Sequence, residues 1–326
     1  MKSEEEVACK MLRELLREIT EKNDAEALLL SGGLDTSILV ALPSHEGKRK
    51  KAFTVVMAGT PAPDLSYATI VAQKFRYEHH LIQLTEQEAL GALPAVIKVL
   101  KSFDPALPND LVIYAALKEA KNRGITSVMT GDGADELFAG YSYMHELSHE
   151  DLYIYIKALS KTMWFSSNKL GALFGMEIKQ PYCDPKMVDF ALALDPDLKI
   201  RERDGREYGK WILRKAFEAE LGAVVWRAKD PIEVGSGITK LREVIRGKIS
   251  DTEFEEKKRE YGMEFMNKEH LFFYELYKAV VGEIPRAKEG TKTTCPLCKA
   301  ELLENKFHCS ICGFSYPLGR YRGEKQ

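Results

Sequence analysis

Short apolar runs alternate with amphipathic helical patterns through the first part of the chain, and this alternation restricts the fold more than any other feature. Four runs have the length and composition of strands, namely residues 27–30, 52–57, 80–84 and 126–130. Strands that alternate with helices predict a parallel sheet covered by helices on both faces. After residue 141 helical patterns dominate, at residues 152–160, 186–194, 208–219, 238–249 and 264–281. We therefore expect an α/β fold with a helical second half.

The composition is that of a globular protein without a membrane span. The chain has 326 residues, of which 45% are hydrophobic and 29% charged, and its net charge is −2. This length suits about two domains and a small module. No apolar run approaches the ~18 residues of a membrane-spanning helix, and the N-terminus lacks the apolar stretch of a secretory signal. We expect a cytoplasmic protein that has no membrane partner.

A glycine-containing loop, residues 31–37, follows the first predicted strand and leads into a helix. Gly32 and Gly33 allow the backbone to approach a ligand closely. The free N–H groups at the helix start would bind an anion such as phosphate. Hydroxyl donors to that anion would come from Ser31, Thr36 and Ser37. Asp35 would repel phosphate unless a cation such as Mg²⁺ lies between them. The alternative is a simple helix-capping turn, which the complete string after an apolar strand disfavours.

A second loop, residues 130–141, follows the fourth predicted strand and carries three carboxylates, Asp132, Asp135 and Glu136. Its position puts it at the carboxyl edge of the sheet, where α/β folds bind ligands. Crowded carboxylate oxygens suit Mg²⁺ bound beside substrate phosphates. The alternative is a solvated acidic turn that caps a helix. Beside the first loop, the metal interpretation is favoured.

Residues 31–37 resemble the pyrophosphate loop of the N-type ATP pyrophosphatases, which include asparagine synthetase, argininosuccinate synthetase and the GMP and NAD synthetases. Residues 131–141 narrow this resemblance to the asparagine-synthetase and β-lactam-synthetase branch. Further strings match in order, at residues 53–55, 63–65, 79–80, 175–184, 226–229 and 235–237. The similarity extends from about residue 24 to residue 285.

The resemblance implies a five-stranded parallel sheet of the adenine-nucleotide α-hydrolase type and an ATP-dependent, AMP-forming ligase of amino-acid biosynthesis. In that family a carboxylate attacks the α-phosphorus of ATP, pyrophosphate leaves, and ammonia displaces AMP from the acyl-adenylate. The implied catalytic residues are Asp35, Asp132, Asp135 and Lys229. Asp35 and Asp135 would bind Mg²⁺, and Lys229 would neutralise charge that grows on the phosphates. The nucleotide contacts would come from Leu30, Ser31, Gly32, Gly33, Asp35, Thr36, Ser37, Val55, Thr130 and Gly131.

The chain departs from the family pattern in three places. The family's glutaminase domain uses an N-terminal cysteine as its nucleophile, whereas position two here is Lys2. We therefore expect a synthetase domain alone, supplied by free ammonia or by a separate glutaminase subunit. Asp132 stands where the family often has Glu. Residues 103–110 lack the Thr and Arg that shape the aspartate site in bacterial relatives. The sequence therefore does not identify the carboxylate substrate.

Four of the six cysteines form two CxxC pairs near the end of the chain, Cys295, Cys298, Cys309 and Cys312. Four thiolates close a tetrahedral shell, which suits a structural Zn²⁺. Unliganded or redox-active cysteines are the alternative. Residues 290–294 look like a linker. The sequence thus predicts an ATP pyrophosphatase domain at 1–285, with its sheet part at about 24–141 and its helical part at about 142–285, and a zinc ribbon at 290–326.

The end of the chain is basic, since residues 286–326 contain eight Lys or Arg against four Glu. Aromatic residues are interleaved with the basic ones: Lys292, Lys299, Lys306, Arg320, Arg322 and Lys325 with Phe307, His308, Phe314, Tyr316 and Tyr321. Such surfaces bind RNA. A tRNA- or nucleobase-modifying ATP pyrophosphatase is therefore the alternative function, with tRNA as a partner. A non-catalytic nucleotide-binding module is a third interpretation, which Asp35, Asp135 and Lys229 together disfavour.

Overall fold

A computed structural model describes residues 3–42, 50–286, 293–302 and 308–315. The strands are β1 (Ala27–Leu29), β2 (Lys51–Met57), β3 (Glu78–Leu84), β4 (Ser127–Met129), β5 (Glu177–Lys179), β6 (Arg201–Arg203) and β7 (Arg206–Tyr208). The helices are α1 (Glu4–Lys22), α2 (Leu34–Ala41), α3 (Pro63–Lys74), α4 (Glu86–Leu100), α5 (Leu107–Asn122), α6 (Ala134–Leu137), α7 (His149–Thr162), α8 (Ser166–Leu173), α9 (Pro185–Ala193), α10 (Trp211–Leu221), α11 (Ile232–Gly235), α12 (Lys240–Arg246), α13 (Asp251–Tyr261) and α14 (Lys268–Val280).

The first five strands form one sheet in the order β3-β2-β1-β4-β5. β1 pairs in parallel with both β2 and β4, and β4 pairs in parallel with β5. The prediction of a five-stranded parallel sheet is therefore confirmed. The chain adds β2 and β3 on one side of β1 and then returns to its other side with β4. Open α/β sheets bind ligands at such a reversal, outside the carboxyl ends of the strands.

The two strands at this reversal are short and buried. Leu28 in β1 is 3% exposed, and Val128 in β4 is fully buried. A continuous apolar run is what a parallel strand with both faces covered requires. Beyond β1, the N–H of Leu30 still donates to the carbonyl of Phe53 at 2.8 Å. The chain therefore leaves the sheet only at residue 31, where the glycine-containing loop begins.

The fifth strand, β5, is the one element of the sheet that the residue pattern did not place and that only the family resemblance implied. It is three residues long, and none of its residues is fully buried. So short a run has no measurable alternation, and its two charged ends are atypical of a strand. Its pairing with β4, in which Ile178 lies opposite Val128, defines it as a strand.

The chain after α6 is mainly helical, as predicted, and the predicted helices correspond to α7, α9, α10, α12 and α14 with shifted ends. The predicted helix at 208–219 begins later, at Trp211, because a small antiparallel hairpin of β6 and β7 comes first. This hairpin puts Lys210 at the position that precedes α10. Within the described ranges, no helix combines the length and apolar character that a membrane crossing requires.

The chain divides into two compact units, each assembled from separate segments. Unit 1 consists of Met1–Val55, Pro63–Ile82 and Ala116–Pro231. Unit 2 consists of Val56–Ala62, Gln83–Ala115 and Ile232–Gln326. The predicted domain bounds, 1–285 and 290–326, follow another division and stay a prediction.

Candidate active site and cysteine cluster

The loop between β1 and α2 requires glycine at its second residue, Gly32. Gly32 has a φ of +74°, and a Cβ there would lie 2.4 Å from the nitrogen of Ala68 and 2.7 Å from the carbonyl oxygen of Asp64. Both a left-handed φ and this close approach exclude a larger side chain. The loop is therefore pressed against α3. We call residues 31–37 the phosphate loop, after the ligand predicted for it, and residues 130–141 the acidic loop.

The hydroxyl groups of this loop lie close together at the start of α2. The Ser31 hydroxyl accepts a hydrogen bond from the N–H of Gly33 at 3.1 Å and lies 3.2 Å from the Thr36 hydroxyl. Ser37 is fully buried, and its hydroxyl has no partner within the described part of the chain. A buried hydroxyl without a partner is destabilising, which is a reason to expect a polar ligand there.

The acidic loop after β4 touches the phosphate loop because one of its glycines permits the approach. A Cβ on Gly131 would lie 3.0 Å from the Cβ of Asp35 and 3.1 Å from a methyl carbon of Thr36. The two loops follow neighbouring strands, β1 and β4. The acidic loop, which was predicted at the carboxyl edge of the sheet, therefore lies against the phosphate loop.

Two lysines hold the carboxylates of these loops together. The Lys210 ammonium lies 2.8 and 2.7 Å from the two oxygens of Asp35 and 2.7 Å from Oδ1 of Asp135. The Lys229 ammonium also contacts Oδ1 of Asp135. The Lys210 side chain is 5% exposed and that of Lys229 35% exposed. These two carboxylates and two ammonium groups form one cluster, which we name the carboxylate–lysine cluster.

The ionisation of this cluster is set by burial and by the mutual attraction of its members. Burial raises the pKa of Asp35, although Lys210 opposes this. Burial acts in the same direction on Asp135, but Lys210 and Lys229 outweigh it, so that its pKa lies below the usual value. Burial would lower the pKa of Lys210, but the two aspartates outweigh it and raise that pKa. Burial and then repulsion by Lys210 lower the pKa of Lys229.

Lys210 is a member of the site that the sequence analysis missed. Its backbone is left-handed, with a φ of 57°, and its N–H donates to the carbonyl of Phe138 at 2.8 Å. A Cβ on Gly140 would lie 2.3 Å from Cε of Lys210, and one on Gly209 would lie 1.9 Å from the carbonyl oxygen of Ala139. Gly140 therefore makes room for the lysine stem, and Gly209 lets the chain just before Lys210 pass close to Ala139. The only sequence signal was a Gly-Lys pair before an amphipathic helix.

Arg227 is a second missed residue, and it holds the phosphate loop in place. Its guanidinium donates to the carbonyl oxygen of Gly32 at 3.0 Å and to Oδ1 of Asp64 at 2.5 Å. The guanidinium carbon also lies 4.3 Å from the centre of the Tyr67 ring. The side chains of Arg227 and Asp64 are only 6% and 9% exposed. Arg227 lies within the matching string at residues 226–229, for which the family resemblance implied a role only for Lys229.

The predicted catalytic residue Asp132 lies in a network of neutral donors. Its Oδ2 accepts hydrogen bonds from the hydroxyl of Thr130 at 2.7 Å, that of Ser167 at 2.6 Å and the amide of Gln180 at 2.9 Å. Asp35 and Asp135, by contrast, are bonded to lysines. Asp132 therefore differs from the other two carboxylates in having neutral hydrogen-bond partners. Its catalytic role stays a prediction.

Lys229 is positioned by an aromatic ring as well as by a carboxylate. Its ammonium lies 4.1 Å from the centre of the Tyr141 ring. The Tyr141 hydroxyl in turn donates to Glu136 at 2.6 Å. Burial raises the pKa of both groups, that of Tyr141 well above its usual value. Cation–π and carboxylate contacts together place the ammonium beside the acidic loop.

The remaining predicted nucleotide contacts are buried at or near the same edge of the sheet. Leu30 is 1% exposed, Thr130 is 4% exposed and Val55 is 6% exposed. The carbonyl of Leu30 accepts a hydrogen bond from the Thr54 hydroxyl at 2.6 Å. Their contact with adenosine stays a prediction.

The four cysteines of the CxxC pairs come together in unit 2. All four sulfurs lie within 4.8 Å of one another, and all four residues are buried. The sulfur of Cys295 lies 3.5 Å from that of Cys312, and the sulfur of Cys298 lies 3.6 Å from that of Cys309. Hydrogen bonds from Cys298 and Cys312 lower the pKa of Cys309. The prediction of a single four-cysteine cluster is confirmed, and the donor set fits a tetrahedral metal site.

The cysteine cluster is packed against other residues of its own unit. The carbonyl of Ile311 accepts hydrogen bonds from the N–H of Phe103 at 2.7 Å and the hydroxyl of Ser102 at 3.1 Å. Nε2 of His308 lies 2.8 Å from Oδ2 of Asp104. A Cβ on Gly313 would lie 2.6 Å from the Asp104 carboxyl group. The second CxxC pair therefore fixes the loop that precedes α5.

Most of the predicted RNA-binding surface lies outside the described residues. This holds for Lys292, Lys306, Phe307, Tyr316, Arg320, Tyr321, Arg322 and Lys325. Among the described members, the Lys299 ammonium donates to the carbonyl of Pro296 at 2.7 Å, and His308 pairs with Asp104. An RNA contact therefore stays a prediction.

Comparison with known families gives a match over most of the chain. The family model described as Asparagine synthase matches residues 11–153 and 145–280. The chain is 31% identical over 284 residues to a probable glutamine-hydrolysing asparagine synthetase from Dictyostelium discoideum, covering 78% of this chain and 51% of the relative. It is 30% identical over 301 residues to asparagine synthetase B of Escherichia coli, covering 84% and 54%. The chain thus spans about half the length of these curated relatives.

Two solved structures show weaker likeness. The U34-tRNA thiolase NcsA from Methanococcus maripaludis, solved with its 4Fe-4S cluster, gives a TM-score of 0.34 at 13% identity, covering 73% of this chain and 80% of that one. The NMN synthetase from Francisella tularensis gives a TM-score of 0.30 at 15% identity, covering 71% and 99%. Scores this low carry no argument about function.

Proposed function

Because this chain belongs to the asparagine synthase family, we propose that it activates a small carboxylate as its acyl-adenylate and converts it to an amide with ammonia. ATP supplies the adenylyl group and pyrophosphate is released. The observation that carries the proposal is the meeting of the two loops after β1 and β4, where Asp35 and Asp135 share Lys210.

The phosphate loop would hold the pyrophosphate part of ATP. The Ser37 hydroxyl, which is buried and without a partner in the described ranges, would donate to a phosphate oxygen. The N–H groups at the start of α2 would add to this, because a helix N-terminus favours an anion. Arg227 would not touch the nucleotide. Its hydrogen bond to the Gly32 carbonyl would keep the loop in the shape that receives it.

The carboxylate oxygens of Asp35 and Asp135 fit a divalent cation, since Mg²⁺ prefers a few carboxylates together with phosphate oxygens. When bound, Mg²⁺ would neutralise charge on the phosphates and so assist departure of pyrophosphate. The aspartates would hold the ion, and Lys229 would approach the phosphates from its position over Tyr141. An ammonium group there stabilises the charge that develops on the leaving group.

The proposed reaction has two balanced steps. In the first, a carboxylate oxygen forms a bond to the α-phosphorus, the bond from that phosphorus to the bridging oxygen breaks, and pyrophosphate carries away the electron pair. In the second, the nitrogen of ammonia attacks the acyl carbon, AMP leaves, and a proton is lost from nitrogen. Positioning and electrostatics supply most of the catalysis in such phosphorus chemistry.

The cysteine cluster would bind a structural Zn²⁺. The four buried sulfurs would fill all four tetrahedral positions, so no open position would remain for a substrate. Elemental analysis of the purified protein tests this, with one zinc per chain as the expected result. A Cys298→Ser variant should lose the metal, while Cys9→Ser, which changes a cysteine of α1, should retain it.

The test of the proposed activity is a pyrophosphate-release screen over amino acids and related carboxylates. Ammonium, glutamine and tRNA are supplied in separate arms, and the products are identified by mass spectrometry. We expect release that depends on one carboxylate, with amide formed in the ammonium arm. Lys229→Met should abolish release, whereas Lys240→Met, a lysine 44% exposed on α12, should not.

The alternative function, modification of tRNA or a nucleobase, has its own outcome in the same screen. Release that requires tRNA and no carboxylate would replace the ligase proposal. The support for this alternative is the basic and aromatic composition of residues 286–326. Nucleotide binding without release in any arm would instead indicate a non-catalytic module.

A further inference from the structure

Lys210 occupies the place between the two aspartates that would bind a metal ion. Its ammonium contacts three carboxylate oxygens, two from Asp35 and one from Asp135, all at 2.7 or 2.8 Å. We propose that Lys210 is an internal counter-ion that keeps divalent cations off this carboxylate pair until a polyphosphate binds. The inference deepens the proposed function and rests on it for the identity of the polyphosphate, which is the triphosphate of ATP.

The charge balance of the carboxylate–lysine cluster supports this role. Asp35 and Asp135 are only partly exposed, at 17% and 21%, and two carboxylates so close together repel each other and require a cation nearby. The ammonium of Lys210 has three protons to donate, and three carboxylate oxygens lie within hydrogen-bonding distance of it. Because its side chain is only 5% exposed, water screens these attractions poorly. A divalent cation that arrives alone must therefore displace a well-bonded internal cation.

The backbone around Lys210 delivers the side chain to this position. The N–H of Lys210 is bonded to the Phe138 carbonyl of the acidic loop, and its φ of 57° is one that lysine seldom adopts. Gly140 clears the path of the lysine stem, because a Cβ there would lie 2.3 Å from Cε. A lysine backbone in the left-handed region is strained. Such strain persists where it serves a function, which here is to hold the ammonium between the two aspartates.

A polyphosphate changes the balance because it gives the ammonium another anionic partner. The flexible stem of lysine allows Nζ to turn from the aspartates to phosphate oxygens while the backbone stays fixed. The vacated carboxylates then require a cation, which the metal that accompanies the nucleotide supplies. Metal and polyphosphate would therefore bind together, and either one would bind poorly alone. Such coupling is reciprocal between the two ligands.

The experiment measures binding of Mn²⁺ alone by electron paramagnetic resonance, with no nucleotide or carboxylate present. Lys210→Met removes the internal cation and should bind Mn²⁺ at least about tenfold more tightly than the wild-type protein. Lys229→Met is the matched control. It also removes one ammonium, but Lys210 still bridges both aspartates, so Mn²⁺ affinity should change by less than about twofold. The double variant Lys210→Met with Asp35→Asn should lose the gained site.

Equal Mn²⁺ affinity in wild type and Lys210→Met would overturn the proposal, as would an equal gain in Lys229→Met. If Lys210→Met fails to fold without metal, Mn²⁺ must restore the fold, and failure to do so counts against the proposal. Because no ATP or carboxylate is used, a negative result leaves the proposed ligase activity standing. Conversely, a screen in which no substrate gives pyrophosphate release would not alter the Mn²⁺ result.

Discussion

The carboxylate–lysine cluster of unit 1 and the cysteine cluster of unit 2 both bury ionisable groups, but they balance charge differently. In the first, Lys210 and Lys229 match Asp35 and Asp135 one for one. In the second, four thiols face one another, with two pairs of sulfurs 3.5 and 3.6 Å apart. The first cluster can therefore exist folded without a metal. The second requires a metal if its thiols are to ionise together.

This difference separates an exchangeable site from a permanent one. A cluster that carries its own cations can admit and release ligands while the fold persists. A cluster of four thiolates is held by the metal, so metal binding and local folding are one event. The contact of Ile311 with Ser102 and Phe103 extends that dependence to the loop before α5.

Removal of the metal from the cysteine cluster should have the largest effect. Structural zinc contributes about 10 kcal/mol or more to the folding of small modules. After chelation, or in Cys298→Ser, we expect rapid amide exchange at Phe103, whose N–H donates to Ile311 at 2.7 Å. The amide of Lys210, bonded to Phe138 at 2.8 Å, is the reporter for the other cluster and should stay protected. Hydrogen exchange read by mass spectrometry distinguishes the two amides. Equal loss of protection at both would show that the two clusters depend on the metal to the same extent.

Asp35→Asn and Asp135→Asn should each lower the rate of pyrophosphate release about a thousandfold, equivalent to ~4 kcal/mol of transition-state stabilisation. Either change removes a charged oxygen ligand from the pair. Asp189→Asn, which alters an exposed aspartate of α9, is the control and should keep the wild-type rate. Near wild-type turnover in either site variant would show that the pair does not hold the metal.

Lys210→Met and Lys229→Met should differ in metal-free stability. Breaking a buried ion pair costs about 3–5 kcal/mol, because the partner charges stay buried. Lys210, at 5% exposed, should approach that loss. Lys229, at 35% exposed, should lose no more than about 1 kcal/mol, as solvent can compensate. Urea unfolding in chelator-treated buffer measures both values. A reversed order would argue that Lys229, and not Lys210, balances the pair.

Asp104→Asn should have the smallest effect, below about 1 kcal/mol, because the His308 side chain that contacts Asp104 is half exposed. Asparagine keeps an oxygen that can still accept the hydrogen bond from the N–H of Ala106, which Asp104 accepts at 2.8 Å. The rate of zinc transfer to a chelator measures the change. A large increase would mean that the contact between His308 and Asp104, and not the Ile311 carbonyl, holds the cluster to its loop.

Local strings allowed much of the candidate site to be predicted. The phosphate loop at 31–37 and the acidic loop at 130–141 each follow an apolar run, so their place at the strand ends could be inferred. The spacing of the CxxC pairs predicted the cysteine cluster. Lys210 and Arg227 could not be found in this way. Each acts on residues far away in sequence: Lys210 on Asp35, and Arg227 on Gly32.

The sequence by itself determined the elements whose signal is local, namely the strand-loop-helix units, the two loops and the cysteine pairs. It did so because glycine conformation, strand hydrophobicity and thiol spacing are properties of neighbouring residues. Only the tertiary structure decided the partners of the charges. A lysine can be a solvent-exposed surface residue or a buried counter-ion, and the groups around its ammonium decide which. For Lys210 that is Asp35 and Asp135, brought there by the reversal of strand order between β1 and β4.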